Sequence, residues 1–266
     1  MRHIVPILTA TLLAPPVAAA DPFADVARLE VLPGWQTAQG THMTGIRVTL
    51  RPGWHTYWRA PGDAGIPPQF SWDGSENIAT ARFHWPTPHV MDQNTMQVIG
   101  YYDSLVLPIE VQPSVTGAPI TIAGDVLLGV CEDICIPVNL SFAADLPLQG
   151  ARDSAIVAAL LNQPLDADEA GVRDATCQVT PSQDSMQVTA TLTMPSAGGD
   201  ETVVIEPGNP EVWVSPSDVT RDGEQLVASV DMVHTLGSAF ALDRSQIRIT
   251  VLGSDHAVDV IGCSAG

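Results

Sequence analysis

The run GIRVTLRPGWHTYW sets Ile46, Val48 and Leu50 in alternation with Arg47, Thr49 and Arg51 before it closes at Pro52-Gly53. Successive side chains on a strand point to opposite faces, so a period of two gives one extended segment an apolar and a polar side. A strand half-dressed in this way has to be covered by another layer. The same habit returns in SLVLPIEVQP, ITIAGDVLLGVC and CIPVNLSFAADLPL, with turn residues between the runs. Together they predict an antiparallel β-sandwich over residues 21–149. Pro108 and Pro137 fall inside two of the runs and argue for edge strands or bulges, because proline cannot donate to a ladder.

The segment ARDSAIVAALLNQPL breaks the pattern. Ile156, Ala159, Leu160 and Gln163 follow helical spacing, Asp153 or Ser154 can cap the start, and Pro164 stops it. Residues 150–173 therefore read as a helical connector with an acidic tail, DADEAG. Strands resume in MQVTATLTMP, TVVIEP, EVWVSP, QLVASVDMV and SQIRITVLG, which predicts a second, smaller all-β domain over 174–266.

The first twenty residues carry a cationic start at Arg2, an apolar stretch from Ile4 to Ala14 and an Ala18-Ala19-Ala20 end, the pattern of a cleaved signal peptide. Its apolar part is shorter than the roughly 18 residues a spanning helix needs, and no later segment reaches that length. The expectation is an exported protein that does not span the membrane, placed in the periplasm. The formal charge of −19 becomes more negative once Arg2 is removed, and all eleven basic residues are arginine. Such a field repels a phosphate backbone, which excludes nucleic acid as a partner.

Export lets the four cysteines, Cys131, Cys135, Cys177 and Cys263, be oxidised. In LLGVCEDICIPV the first two stand four positions apart between apolar runs. On a hairpin, Glu132, Asp133 and Ile134 would form the loop and the cysteines would face each other at a spacing a disulfide tolerates. Closing so small a ring constrains the unfolded chain by about 2 kcal/mol, against about 4.6 kcal/mol for the long loop from Cys177 to Cys263. The long loop is the better staple and these two cysteines bracket the second domain, so Cys177 and Cys263 read as a structural disulfide tying its ends, with a second redox pair as the alternative. The short one suits opening and closing, with a structural bridge and metal binding as the alternatives. Glu132 and Asp133 disfavour thiolate, which makes the pair the attacked and not the attacking partner.

RPGWHTYWRAPGDAGIPP is dense in unusual side chains: Trp54 and Trp58 read as core or inter-strand packing before a rigid Pro/Gly loop, and in the functional alternative His55 and Trp58 are candidates to shield or position the cysteines. The stretch HWPTPHVMDQNTMQVIGYYDS holds His84, His89, Met91, Asp92, Met96, Tyr101 and Tyr102. With two cysteines, such His and Met residues would suit a soft ion such as Cu(I). They are scattered, so no metal site and no cofactor beyond a redox-active disulfide is expected. Hydrolase, Walker and dinucleotide motifs are absent from the sequence.

Taken in order, GWHTYWRAPGDAGIPP, WPTPH, GYYDSLVLPIEV and GVCEDICIPV resemble the N-terminal periplasmic domain of the thiol:disulfide interchange protein DsbD. The resemblance is strongest to the branch called suppressor-of-copper-sensitivity protein B, ScsB. It implies an immunoglobulin-like sandwich with the two cysteines on neighbouring strands under a cap loop. It also implies electrons received from a thioredoxin-like protein or membrane carrier and passed to periplasmic disulfide proteins. Cys131 and Cys135 match the redox pair, with a lean toward Cys135 as the sulfur attacked first. Asp92 and Met96 fall in the cap loop, and Tyr101 and Tyr102 just after it. The cap differs from that of the best-known members in offering methionines where they carry an aromatic. No membrane carrier or thioredoxin-like domain follows, so reductant and substrate are both expected to be separate proteins. A copper-tolerance protein using the same cysteines, and a sandwich with two inert disulfides, are the competing readings.

Overall fold

A computed structural model describes residues 25–93, 96–182 and 184–266, with the Gln93 side chain left out; the stretch read as a signal peptide lies outside these residues. Ten strands form the first region: β1 (Ala27–Gln36), β2 (His42–Leu50), β3 (His55–Gly62), β4 (Gln69–Ser71), β5 (Ile78–Phe83), β6 (His89–Gln93), β7 (Met96–Tyr102), β8 (Ser104–Pro113), β9 (Ile120–Cys131) and β10 (Cys135–Leu146). They make two antiparallel sheets, ordered β1-β2-β8-β5 and β10-β9-β3-β7-β6 with β4 added to β9. The result is the expected immunoglobulin-like sandwich.

Alternation decides what goes inside. Ile46 and Val48 of β2 and Leu107 and Ile109 of β8 meet Trp58 of β3, Ile99 and Tyr101 of β7 and Ile122, Val126, Leu128 and Val130 of β9 in one core. At about 25 cal/mol per Å² of apolar surface removed from water, this layer is what holds the sheets face to face.

Pro137 lies on β10, an edge strand, as its missing N–H requires. Pro108 does not: β8 is flanked by β2 and β5. The interior position is tolerated because β5 ends at Phe83, which pairs with Ile109, and only the His84 N–H reaches on to the Pro108 carbonyl at 3.0 Å. The side of Pro108 without a donor therefore faces a strand that has already stopped.

Helix α1 (Ser154–Leu161) begins at Asp153, whose carboxylate accepts from the Ala155 N–H at 2.7 Å and the Ile156 N–H at 3.3 Å. It seats the fully buried Ile156 against Leu32 and Met43. Gln163 falls beyond its end.

The second region follows with β11 (Leu165–Asp166), β12 (Asp174–Pro181), β13 (Met186–Thr193), β14 (Thr202–Glu206), β15 (Val212–Val214), β16 (Asp218–Asp222), β17 (Gln225–His234), β18 (Arg248–Leu252), β19 (Ala257–Ile261) and β20 (Ser264–Ala265). Its sheets run β11-β19-β18-β14 and β15-β17-β13-β12-β20, with β16 on β17. Leu165 and Asp166, inside the segment read as connector, pair in parallel with Val258 and Asp259. Cys177 and Cys263 are bonded, with Cys177 fully buried in this region's core.

The two regions pack on each other. Leu252 and Ala257 join the core of the first region. Arg59, one residue after Trp58, donates to both carboxylate oxygens of Glu206 at 3.1 and 2.9 Å and to the Thr250 hydroxyl at 3.2 Å. Its guanidinium lies 3.9 Å from the Trp58 ring centroid and 3.9 Å from an Asp259 oxygen.

Candidate functional site: a hairpin disulfide under a tyrosine

Strands β9 and β10 are joined by the three-residue loop Glu132, Asp133 and Ile134, closed by the Glu132 N–H donating to the Ile134 carbonyl at 3.2 Å. Cys131 and Cys135 are the last paired residues of the ladder and are bonded, with their Cα atoms 4.2 Å apart. The two sulfurs are unequal: Cys131 is fully buried, whereas Cys135 is exposed on the edge strand.

The Tyr57 hydroxyl lies 2.8 Å from the Cys131 sulfur and 3.2 Å from that of Cys135. Tyr57 is fully buried, and burial pushes its phenol above the ordinary value, so it keeps its proton and acts as the donor. It reaches the sulfurs by crossing Gly129, where a Cβ would fall 2.8 Å from the tyrosine ring. Only a residue without a side chain leaves the ring that path.

Met91 and Val98, opposed on the β6–β7 hairpin, pack with Tyr57 and Cys131 in a small cluster that also takes in Ile66. That hairpin is stitched to the end of β3. The Gln97 N–H donates to the Asp63 carboxylate at 2.7 Å, and the Asp63 N–H donates to the Gln97 carbonyl at 2.9 Å. Gly62, at φ +84°, permits the join, since a Cβ there would fall 2.4 Å from the Gln97 carbonyl oxygen.

His55 stands directly opposite Cys131 across β3 and β9, and opposite Tyr102 across β3 and β7. Its ring meets Tyr57 edge-on at 5.5 Å and Tyr102 at 6.2 Å, and His89 lies 5.9 Å beyond Tyr102. Burial holds the His55 imidazole below the ordinary histidine value, which keeps it neutral near pH 7.

Of the residues singled out from the sequence, His55 stands opposite Cys131, and Tyr102 lies beyond His55 on the neighbouring strand. Asp92 and Met96 are on the β6–β7 hairpin and exposed, whereas Met91 packs beside the Cys131 sulfur. Trp58 and Tyr101 lie away from the cysteines. Both belong to the sandwich core, and the Tyr101 hydroxyl donates to the Pro86 carbonyl at 2.8 Å. The reason is strand alternation: Tyr57 and Trp58 are neighbours on β3 and so face opposite sides of the sheet. Tyr57, an aromatic of the same dense run, touches both sulfurs; its shared parity with His55 is the sequence signal that sets it on their side of the sheet.

Among the described residues, no group of three or more His, Cys, Asp or Glu side chains could hold a metal ion. None of their helices is long and apolar enough to cross a membrane. A cleft of about 610 Å³ opens between the two regions, lined by Arg59, Asp63, Gln97, Glu206 and Trp213 among others, and neither cysteine lines it.

Residues 28–147, the sandwich with the hairpin disulfide, match the family model described as thiol:disulfide interchange protein DsbD, N-terminal. The recognition drawn from the four motifs therefore holds for this region. The whole chain is similar to a solved structure, the N-terminal periplasmic domain of ScsB from Proteus mirabilis. The two are 21% identical, with a TM-score of 0.69, over 93% of this chain and 97% of that one. That likeness extends the shared fold across both regions. No curated protein matched the chain.

Proposed function

We propose that this protein is a periplasmic thiol-disulfide exchange relay, a protein-disulfide reductase in type, working through Cys131 and Cys135. The observation that carries the reading is the asymmetry of the disulfide: one sulfur is exposed at a hairpin tip, and the other is buried beneath a tyrosine hydroxyl. A partner thiolate attacks the Cys135 sulfur and forms a mixed disulfide. The Cys131–Cys135 bond breaks, and its electron pair goes to the Cys131 sulfur, where the Tyr57 O–H can stabilise the charge. The partner's second thiolate then attacks its own bonded sulfur and frees Cys135. The partner leaves as a disulfide and this chain as a dithiol; the same steps in reverse reduce a substrate.

The reductant is a thioredoxin-like protein or membrane carrier, and the substrates are periplasmic disulfide proteins. The match to the DsbD N-terminal family supports the exchange chemistry. The leader over residues 1–20 supports export, and the division into units over 21–149, 150–173 and 174–266 belongs to the same reading. In it, Asp92 and Met96 shape the rim of the cap, and the Cys177–Cys263 bond is a staple.

The test is a redox titration of the Cys131–Cys135 pair together with trapping on a thioredoxin-like protein that lacks its resolving cysteine. A potential above about −300 mV and an adduct through Cys135 are expected. A potential well below that value marks an inert bond and defeats the proposal, as does an adduct through Cys131.

A further inference from the structure

Among the described residues, two buried side-chain nitrogens have no hydrogen-bond partner, Nε1 of Trp58 and Nε2 of His55. A buried polar atom left unpaired is costly and calls for an explanation. The Trp58 indole lies in the sandwich core, away from any reactive group. His55 is different. It is 6% exposed and directly opposite Cys131 in the ladder. Opposed residues on antiparallel strands carry their Cβ atoms about 4.5 to 5.5 Å apart on one face. The imidazole and the buried sulfur therefore rise from neighbouring positions on one face of the sheet.

In the disulfide, the Cys131 sulfur has neither a proton to give nor a charge to neutralise. In the dithiol it has one or the other. We propose that His55 is the proton partner of Cys131, taking the thiol proton when this sulfur attacks and returning one when it leaves. This assignment rests on the exchange reading above.

When the partner thiolate bonds to Cys135, the electron pair of the broken bond resides on Cys131, in a cluster with Tyr57, Met91 and Val98. An uncompensated thiolate is unfavourable in such surroundings. An imidazole that has taken one proton from water can share it with the sulfur, as imidazolium beside thiolate or imidazole beside thiol. In the reverse direction the Cys131 thiol passes its proton to His55, and the thiolate attacks Cys135 in the mixed disulfide. The S–S bond to the substrate breaks, its electron pair leaves on the substrate sulfur, and the imidazolium returns its proton to water. Tyr57 does not substitute as the base, because its phenol holds its proton.

The other groups around His55 tune this exchange without replacing it. Tyr57 and Tyr102 present ring edges, with His89 behind Tyr102. Two carboxylates flank the turn before it: Asp103 accepts from the Gly53 N–H at 3.2 Å, and Glu132 at the hairpin tip lies over the same glycine.

The test is a pH titration by NMR of protein carrying ¹³C in its histidine and cysteine side chains, run separately on the disulfide and dithiol forms. In the disulfide, His55 should show a single midpoint below the ordinary histidine value. In the dithiol, His55 and Cys131 should move together through two shared midpoints. The same His55 midpoint in both forms overturns the proposal. In the dithiol form of His55→Gln, the Cys131 thiolate fraction at pH 7 should fall about tenfold, one unit of thiol pKa; an unchanged fraction also overturns it. The wild-type comparison stands by itself if that variant does not fold. Coupled titration supports the pairing whether or not a thioredoxin-like protein reduces the disulfide, so the two readings fail separately.

Discussion

Tyr57 spans both sulfurs with one hydroxyl. Removing it as Tyr57→Phe keeps the ring over Gly129 but takes the donor from a developing thiolate. A hydrogen bond to a charged group contributes about 1.5 to 3 kcal/mol, and at the lower end its loss slows exchange roughly tenfold. Stopped-flow reduction by a small dithiol reads this directly, with unfolding in urea little changed. Trp58→Ala, one residue on, should do the opposite. It empties a fully buried site in the sandwich and should cost about 3 to 5 kcal/mol in urea unfolding, so only the fraction that remains folded reacts. The two neighbours show what single residues disclose. Cys131 and Cys135 were legible because their loop closes locally, within five residues. Tyr57 meets its sulfurs 74 and 78 positions away in sequence, through a strand pairing that composition does not reveal.

At the scale of elements, the β9–β10 hairpin works only because β3 can cross it closely. Gly129→Ala places a methyl 2.8 Å from the Tyr57 ring and from Ile66 Cβ, so the ring or the strand has to shift. Overpacking of this kind costs about 1 to 3 kcal/mol, and the displaced hydroxyl should slow exchange as well; thermal melts and stopped-flow kinetics measure the two effects. Helix α1 responds independently of the disulfide. Asp153→Ala removes the acceptor for two N–H groups and should destabilise the fold by about 1 kcal/mol, with exchange kinetics unaffected. The cap, the helical spacing and the alternation that made this helix and the strands legible are local signals. Pro108 reads from sequence as a mark of an edge strand or bulge and sits in an interior strand, because which strands flank β8, and where β5 stops, are settled by long-range pairing.

For the molecule as a whole, acidity shapes stability. Burial would raise the Glu201 carboxyl, but hydrogen bonds and charge from Arg221, with the Ala197 and Ser196 donors, hold it below its ordinary value of 4.5. A carboxyl depressed by folding stabilises the folded state above its unfolded pKa, and this contribution is lost as pH falls through the folded value. Melting temperature should therefore hold down to about pH 4.5 and decline below it, and Glu201→Gln should lose stability at neutral pH while flattening that decline. The sandwich followed by a second β region was legible at this scale too, since alternation repeats along the chain. How the regions join was not: Arg59 meets Glu206 across 147 positions. Tyr57, Trp58 and Arg59 are consecutive, and they face the disulfide, the core and the second region in turn. All three lie on β3 (His55–Gly62). Tyr57 at one position rests on the sulfurs and Arg59 two positions on is held by Glu206, so a single strand joins the disulfide cluster to the second region.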